Sequence, residues 1–422
     1  MKRNIFKVMP LLMSAFLLAL TSCVKKKQQL PKAEVKQEIK QPEISPLDSV
    51  IRHDFKSANE MAFSLFKQVD KQKRNENFMI SPLCLANALA MLAYGADGNT
   101  LKQITDVLGA KDMSIDKICK KYRDLNVYLK SIDTETSFAN ASSIWIDDKF
   151  KVKADFLKKN KEIFNAEVYN RPLATEKTMN DINSWCNKQT NGHIKDVLNN
   201  IPSPDSRMLL MNALYFNGKW SDPFSKENTK EEFFRNYDGS KSKVNMMYKF
   251  EFMRASVCDK FDIVEFPYGK RDFSMVVILP HKGQNIDICL KNLSSKQVNK
   301  IDSNSDFYYV SVHMPQLELK DETDFNRTLM ALAMTDAFSV KNANLSKISD
   351  DLYVSAIKQK TSIKVNEEGT EATAVTHEII KAKDADEPKP KVLEFYMDRP
   401  FVYLIREKIT GTILFMGKVR KL

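Results

Sequence analysis

From His53 to Leu422 the chain carries no internal repeat and only one long low-complexity stretch, Lys381 to Lys391. At about 150 residues per domain its 422 residues would suggest two or three domains. With no linker-like break, the body instead reads as one large mixed domain. Hydrophobic residues make up 43% of the chain, enough for a large core and too many for a disordered polypeptide. The one long apolar run lies at the extreme N-terminus, so a multi-span membrane protein is excluded.

That N-terminus reads as an address. Lys2 and Arg3 are followed by an apolar run from Met9 to Leu20, about half of what a spanning helix needs. Leu20-Thr21-Ser22-Cys23 resembles a bacterial lipoprotein lipobox, which implies cleavage before Cys23 and acylation of its thiol. The competing reading is a plain secretory signal with an incidental cysteine. Residues 24–49 are rich in Lys, Gln, Glu and Pro, as expected of a flexible tether. The expected organisation is therefore a signal peptide over 1–22, a tether over 23–52 and a folded domain over 53–422. The expected location is the cell envelope, periplasmic or at the cell surface, with the membrane reached through a lipid on Cys23. Of the formal net charge of +11, Lys2, Arg3 and Lys7 fall in the removed segment, and 11 − 3 leaves about +8. The lysines are scattered and form no aromatic-interleaved stripe, so no nucleic-acid partner is expected.

Enzyme signatures are missing. There is no Gly-x-Ser-x-Gly elbow, His-Glu-x-x-His, Walker A loop or Gly-x-Gly-x-x-Gly. Ser-x-x-Lys occurs several times, among them at Ser114, Ser240 and Ser355, without the Lys-Thr-Gly or Ser-Asp-Asn that would make it a penicilloyl-type site. His53, His193, His281, His313 and His377 lack metal-ligand spacing, and no metal or cofactor is expected. Cys84, Cys119, Cys186, Cys258 and Cys289 are an odd set at irregular spacing, expected to be buried free thiols.

Met61, Ala62, Leu65, Phe66 and Val69 recur at helical spacing. Ser81-Pro82 reads as an N-cap with proline at the first helical position, and Leu83 to Leu92 should be buried all round. Thr100 with Gln103 has the pattern of a capping box, with Gly109 to end that helix. Strands are expected at Met208–Phe216, Ser274–Leu279, Phe307–Met314, Ser362–Val365, Phe401–Arg406 and Ile413–Met416. Helices in the first half and strands in the second suit an α+β fold.

One segment behaves oddly. Gly369-Thr370-Glu371-Ala372-Thr373-Ala374-Val375-Thr376 alternates small, strand-tolerant residues yet lacks the bulk of a core strand. It runs into the charged stretch Lys381–Lys391, which should be an exposed, protease-accessible tip. No proline interrupts Gly369 to Asp386, so every peptide there can join a sheet ladder. By itself the stretch would pass for an ordinary surface loop.

Its surroundings say more. Glu367-Glu368-Gly369-Thr370-Glu371-Ala372 resembles the proximal hinge of a serpin reactive-centre loop, here about residues 367–394. The resemblance covers about residues 55–422. It runs through Asn77–Pro82, Gly95–Thr100, Ile182–Trp185 with Thr190–Gly192, Asn212–Trp220, Phe266–Tyr268, Met334–Phe338, Arg399–Phe401 and Thr410–Gly417.

What the resemblance implies is a suicide inhibitor, not an enzyme. The target protease would be acylated at the loop, which would then enter the main sheet as a new strand. In family register Thr370, Ala372, Ala374 and Thr376 would face inward, with Glu367 and Gly369 completing the hinge. Counting from Gly369 puts the reactive bond at Lys383–Asp384, with Lys381–Ala382 as second choice; counting back from Pro400 points near Lys389, so the loop is long. Lysine implies a trypsin-like protease, and papain-like cysteine proteases are a further class; the rival is that Ile379-Ile380 or Ala382 sets specificity. Ser81, Cys84, Asn212 and Gln359 would form the hydrogen-bonded cluster where the sheet opens. Cys84 and Gln359 depart from the family's serine and histidine, so the cluster is either rewired or opens more readily. Glu378 would face inward at the far end of the inserted strand. The implied molecule is a monomer, and the alternative function is that of a non-inhibitory binding or carrier serpin.

Overall fold

The computed structural model describes residues 46–111, 113–298, 301, 306–370 and 391–422, with side chains from Asn59 onward. The stripe from Met61 to Val69 lies buried along α1 (Pro46–Gln72), which begins before His53, in the stretch read as tether. After β1 (Phe78–Ile80), α2 (Pro82–Ala93) starts as its sequence dictates. Ser81 is the N-cap, its hydroxyl accepting from the Cys84 N–H at 3.2 Å, and Pro82 stands where no N–H is needed. Of its residues all but Ala88 are buried, because α2 touches strands of both sheets.

The next helix corrects a reading. α3 (Gly98–Val107) is capped by Asp97, whose carboxylate accepts from Gly98 N–H, and not by Thr100. Thr100 is inside the helix and buried, its hydroxyl accepting the Asn344 N–H at 2.9 Å. Gln103 reaches away from the helix to accept from the Thr335 and Asp336 N–H groups. Long-range partners won over the local box.

α4 (Ile115–Ser131), α5 (Ala154–Phe164) and α6 (Glu176–Gln189) complete the N-terminal helices. Two strands sit among them, β2 (Thr136–Asp147) and β3 (Glu167–Arg171), so strands are not confined to the second half. The polar start of β2, Thr136 to Ser143, hides it from a hydrophobicity reading. Then follow β4 (Met208–Lys219), β5 (Lys230–Arg235), β6 (Lys241–Val257), β7 (Phe261–Tyr268), β8 (Phe273–Pro280), α7 (Asp287–Asn292) and α8 (Ser295–Val298). The C-terminal third adds β9 (Asp306–Pro315), β10 (Leu317–Asp324), α9 (Asn326–Ala331), β11 (Lys358–Asn366) and β12 (Gly369–Thr370). β13 (Val392–Tyr396), β14 (Phe401–Glu407) and β15 (Ile413–Val419) end the chain.

The strands form two sheets in an α+β fold. The larger runs β1-β15-β14-β8-β7-β6-β9-β13, with β5 also on β6; the smaller runs β10-β11-β12-β4-β2-β3. β6 is long enough to pair with β5, β9 and β7 along successive stretches. Cys84, Cys119, Cys186 and Cys289 are buried free thiols as expected, whereas Cys258 is half-exposed.

A buried charge pair ties β7 to β14. Arg406 donates to Glu265 at 2.9 Å and Ser274 donates to the same oxygen at 2.8 Å. Burial alone would raise the Glu265 carboxyl, but Arg406, Lys408 and the Ser274 hydroxyl more than offset this and hold it below the ordinary value. The depressed folded value means stability present above the unfolded carboxyl range and lost as pH falls through the folded one. Glu265→Ala strands a buried guanidinium and should cost about 3–5 kcal/mol. Urea unfolding at pH 7 and pH 4 checks this, with the wild type losing part of the difference at the lower pH.

Candidate functional site

In the smaller sheet, β4 and β11 are neighbours only by way of β12, which is two residues long. Among the described residues no pairing joins β4 directly to β11. Below Thr370 the two strands flank a narrow slot. Leu214, Tyr215 and Phe216 line it from β4, and Ser362, Ile363 and Lys364 from β11. Thr190, His193 and Ile194, just beyond α6, also line it, with the His193 ring stacked on Tyr215 at 5.2 Å.

The top of the slot is a tight reversal. β11 turns at Glu367-Glu368 and returns as β12, with Asn366 opposite Gly369 and Val365 opposite Thr370. The Asn366 side chain fixes the turn by accepting from the Glu368 and Gly369 N–H groups at 3.0 and 3.2 Å. Gly369 has φ 149°, and a Cβ there would lie 2.2 Å from the Gly218 carbonyl oxygen. Only glycine lets β12 seat against β4. Thr370 is 3% exposed and shares a 2.7 Å hydrogen bond with the Tyr268 hydroxyl.

The two glutamates are anchored differently. Glu367 is buried and accepts from Thr229 at 2.6 Å and from the Gln316 amide at 2.8 and 2.9 Å. Glu368 pairs with Lys226 at 2.6 Å near the surface, where solvent screens such a pair. The Trp220 indole stacks on Tyr268 at 4.5 Å and donates to the Asn366 carbonyl, while its backbone N–H binds the Glu368 carbonyl. Trp220, Thr229, Gln316, Tyr268 and Asn366 were not singled out as site residues. Asn-x-x-Gly could have revealed the turn; nothing local marks Thr229 or Gln316.

The second group lies lower in the same sheet. The Gln359 amide accepts from the Ser81 N–H at 2.7 Å and donates to the Ser81 carbonyl at 3.0 Å. Ser81 Oγ donates to the Leu414 carbonyl at 2.7 Å, which links the two sheets. Cys84 Sγ lies 3.5 Å from the Asn212 carbonyl, a weak contact. The Asn212 side chain pairs instead with Ser142 at 2.6 Å, and its buried amide nitrogen has no partner among the described residues. Burial, partly offset by Gln359, pushes the Cys84 thiol up to about 12, so it stays protonated. Ser81, Cys84 and Gln359 thus cluster, with Asn212 joined through its backbone and Ser142. Ala372, Ala374, Thr376, Lys381, Ala382, Lys383, Asp384 and Cys23 lie outside the described residues, as does Glu378.

Known proteins place this architecture. A family model described as "Serpin (serine protease inhibitor)" matches residues 56–422. Glia-derived nexin from Rattus norvegicus is 32% identical over 374 residues, spanning 86% of this chain and 92% of its own. The native-state crystal structure of the thermophilic serpin tengpin superposes with a TM-score of 0.79 at 31% identity, covering 88% of this chain and 94% of that one. A thyroxine-binding globulin complex with thyroxine gives a TM-score of 0.78 at 25% identity, covering 87% and 99%. The chain belongs to the serpin family. Among its described residues no helix is long and apolar enough to cross a membrane.

Gly369→Ala should lever β12 off β4 and open the turn, which limited proteolysis would report as faster cutting near Asn366–Thr370. Equal protease resistance would show that the close backbone approach is not needed. For the hydroxyl pair, Tyr268→Phe leaves the Thr370 hydroxyl without its partner and should cost about 1–3 kcal/mol. Adding Thr370→Val should recover part of that loss in urea unfolding.

Proposed function

We propose that this serpin inhibits serine proteases of the trypsin-like class as a suicide substrate. The observation that carries the reading is β12: Gly369 and Thr370 already sit at the top of a gap between β4 and β11, whose inner edges are otherwise unpaired among the described residues. The protease serine would attack the Lys383 carbonyl, releasing Asp384 as a new N-terminus and leaving an ester. Lys381–Ala382 is the second choice of bond. Insertion of the freed strand would distort the protease before water hydrolyses that ester.

Extending the observed register shows what insertion would bring together. Gly369 faces Lys219 and Thr370 faces Gly218 on β4, while Thr370 faces Val365 on β11. The same register sets Ala372 between Phe216 and Ile363, and Ala374 between Leu214 and Thr361. Thr376 would fall between Asn212 and Gln359, its hydroxyl on the face of the Asn212 amide nitrogen that has no described partner. Small side chains at these points enter a close-packed sheet without overfilling it. Glu378 would fall between Leu210 and Ile357, both half-buried, beyond the start of β11, where a carboxylate can reach water.

A net hydrogen bond contributes about 0.5–1.5 kcal/mol, while ordering a residue costs about 1–2. Insertion therefore depends on burial and on filling the slot as well as on new hydrogen bonds. The alternative is a non-inhibitory binding or carrier serpin, which the likeness to thyroxine-binding globulin keeps in view. The alanine-rich hinge favours inhibition. Papain-like cysteine proteases extend the same chemistry, with a thioester in place of the ester. We further propose that Cys23 is acylated and holds the inhibitor at a membrane of the cell envelope, the tether setting its reach.

Mixing the mature domain with trypsin-like proteases should give a complex that survives denaturing gels. The mass of the released C-terminal peptide should place the cut after Lys383 or Lys381. Thr370→Arg would force a guanidinium into the site that Tyr268 and Trp220 close, and should turn inhibitor into substrate. Complex formed in undiminished yield by that variant would contradict the insertion reading.

A further inference from the structure

Cys258 differs from the other thiols in its surroundings. Cys84, Cys119, Cys186 and Cys289 are buried, whereas Cys258 is half-exposed. It sits in the reversal between β6 and β7, where its N–H donates to the Phe261 carbonyl at 3.1 Å. Val257 beside it is 51% exposed, so the reversal stands at the surface. A thiol needs such access before it can meet a reagent from solution.

The fold brings a second thiol to the same end of the larger sheet. Phe261 faces Pro280 across β7 and β8, and the His281 N–H donates to the Lys260 carbonyl at 2.9 Å. β8 therefore ends beside the reversal, and α7 begins a few residues later and packs back on β8. Residues three apart on a helix share a face, which places Cys289 with Asn292. Asn292 lines the same surface cavity as Cys258, Asp259 and Lys260. Cys258 also packs against the core to which Cys289 belongs. Burial pushes the Cys289 thiol up to about 12, and charge on the neighbouring Cys258 adds to the rise.

The two positions divide the work of an exchange reaction. Cys258 is open to a small disulfide in solution. Cys289 is buried and protonated, so the sulfur it meets is one already beside it. A zinc site takes three or four ligands of the His, Cys, Asp and Glu kind, and the described residues hold no such group of three.

We propose that Cys258 and Cys289 are a redox pair, which a small disulfide such as oxidised glutathione closes into a bond between the β6–β7 reversal and α7. In the first step the Cys258 thiol gives its proton to water. Its sulfur attacks one sulfur of the small disulfide and expels a thiolate, leaving a mixed disulfide. Cys289 then loses its proton and attacks the Cys258 sulfur, expelling the second thiolate. Each thiolate takes up one of the released protons. Two protein thiols are thereby oxidised to one disulfide, and the small disulfide is reduced to two thiols. The second step is the slower one, because so little Cys289 is thiolate. Closure needs the two Cα atoms within about 7 Å, and any adjustment falls on the surface reversal. The bond constrains the unfolded chain and so makes the stability of the domain depend on its redox surroundings. This inference stands apart from the inhibitor reading.

The test incubates the folded full chain with oxidised glutathione, quenches it in acid, alkylates it in denaturant and maps its peptides by mass. The peptides carrying Cys258 and Cys289 should appear joined, lighter than their sum by two hydrogens, and should separate on reduction with dithiothreitol. The oxidised chain should unfold about 3 °C or more above the reduced chain. Cys289→Ser should stop the reaction with glutathione held on Cys258, and Cys258→Ser should leave Cys289 free. Wild-type chain in which both thiols are alkylated after oxidation overturns the pair. So does wild-type chain that ends with glutathione on Cys258 and a free Cys289. The wild-type map alone decides between these outcomes, whether or not a variant folds.

Discussion

Everything else in this molecule hangs on a gap in a β-sheet. Among the described residues β4 and β11 do not pair with each other, and Gly369 and Thr370 of β12 lie between them. Unpaired backbone groups along inner strand edges are costly unless they meet water or a partner. A sheet with such edges is one new strand short of its most stable arrangement. The turn at Glu367-Glu368 leads into β12 and is heavily constrained. Gly369 lies against the Gly218 carbonyl, Asn366 holds two amides, and Glu367 is clamped by Thr229 and Gln316. Thr370 is thus held between β4 and β11 by the turn itself.

The lower cluster touches both strands that flank the gap. Ser81 N-caps α2, reaches Leu414 in the larger sheet, and is gripped on both backbone groups by Gln359. That ties β11 to the start of α2. Across the gap the tie to β4 is weaker, a thiol facing the Asn212 carbonyl. With cysteine at 84 and glutamine at 359, the shorter bonds of the cluster lie on the β11 side. The buried Asn212 amide nitrogen marks where an incoming threonine would find a donor.

Much of this was legible in the sequence, for definite reasons. Ser81-Pro82 worked because capping chemistry is local, and the hinge showed itself because a run of small residues without proline is rare in a core strand. The α+β class followed from the order of the patterns. What failed was whatever depends on distant partners. Thr100 and Gln103 look like a capping box, but Asn344 and Asp336 claim their side chains. β2 is half polar because Ser142 and Ser143 serve buried hydrogen bonds. Asn212 belonged to the expected cluster, but its link to Ser142 spans 70 residues and leaves no local mark.

The most direct measurement is thermal unfolding of the intact domain beside the same domain cleaved once in the segment 371–390. If the freed strand completes the sheet, the cleaved form should unfold more than about 10 °C higher, since each kcal/mol is worth about 2–4 °C in a domain of some 150–250 residues. An unchanged or lowered midpoint would mean that the slot does not take the strand, and would contradict the account at its centre.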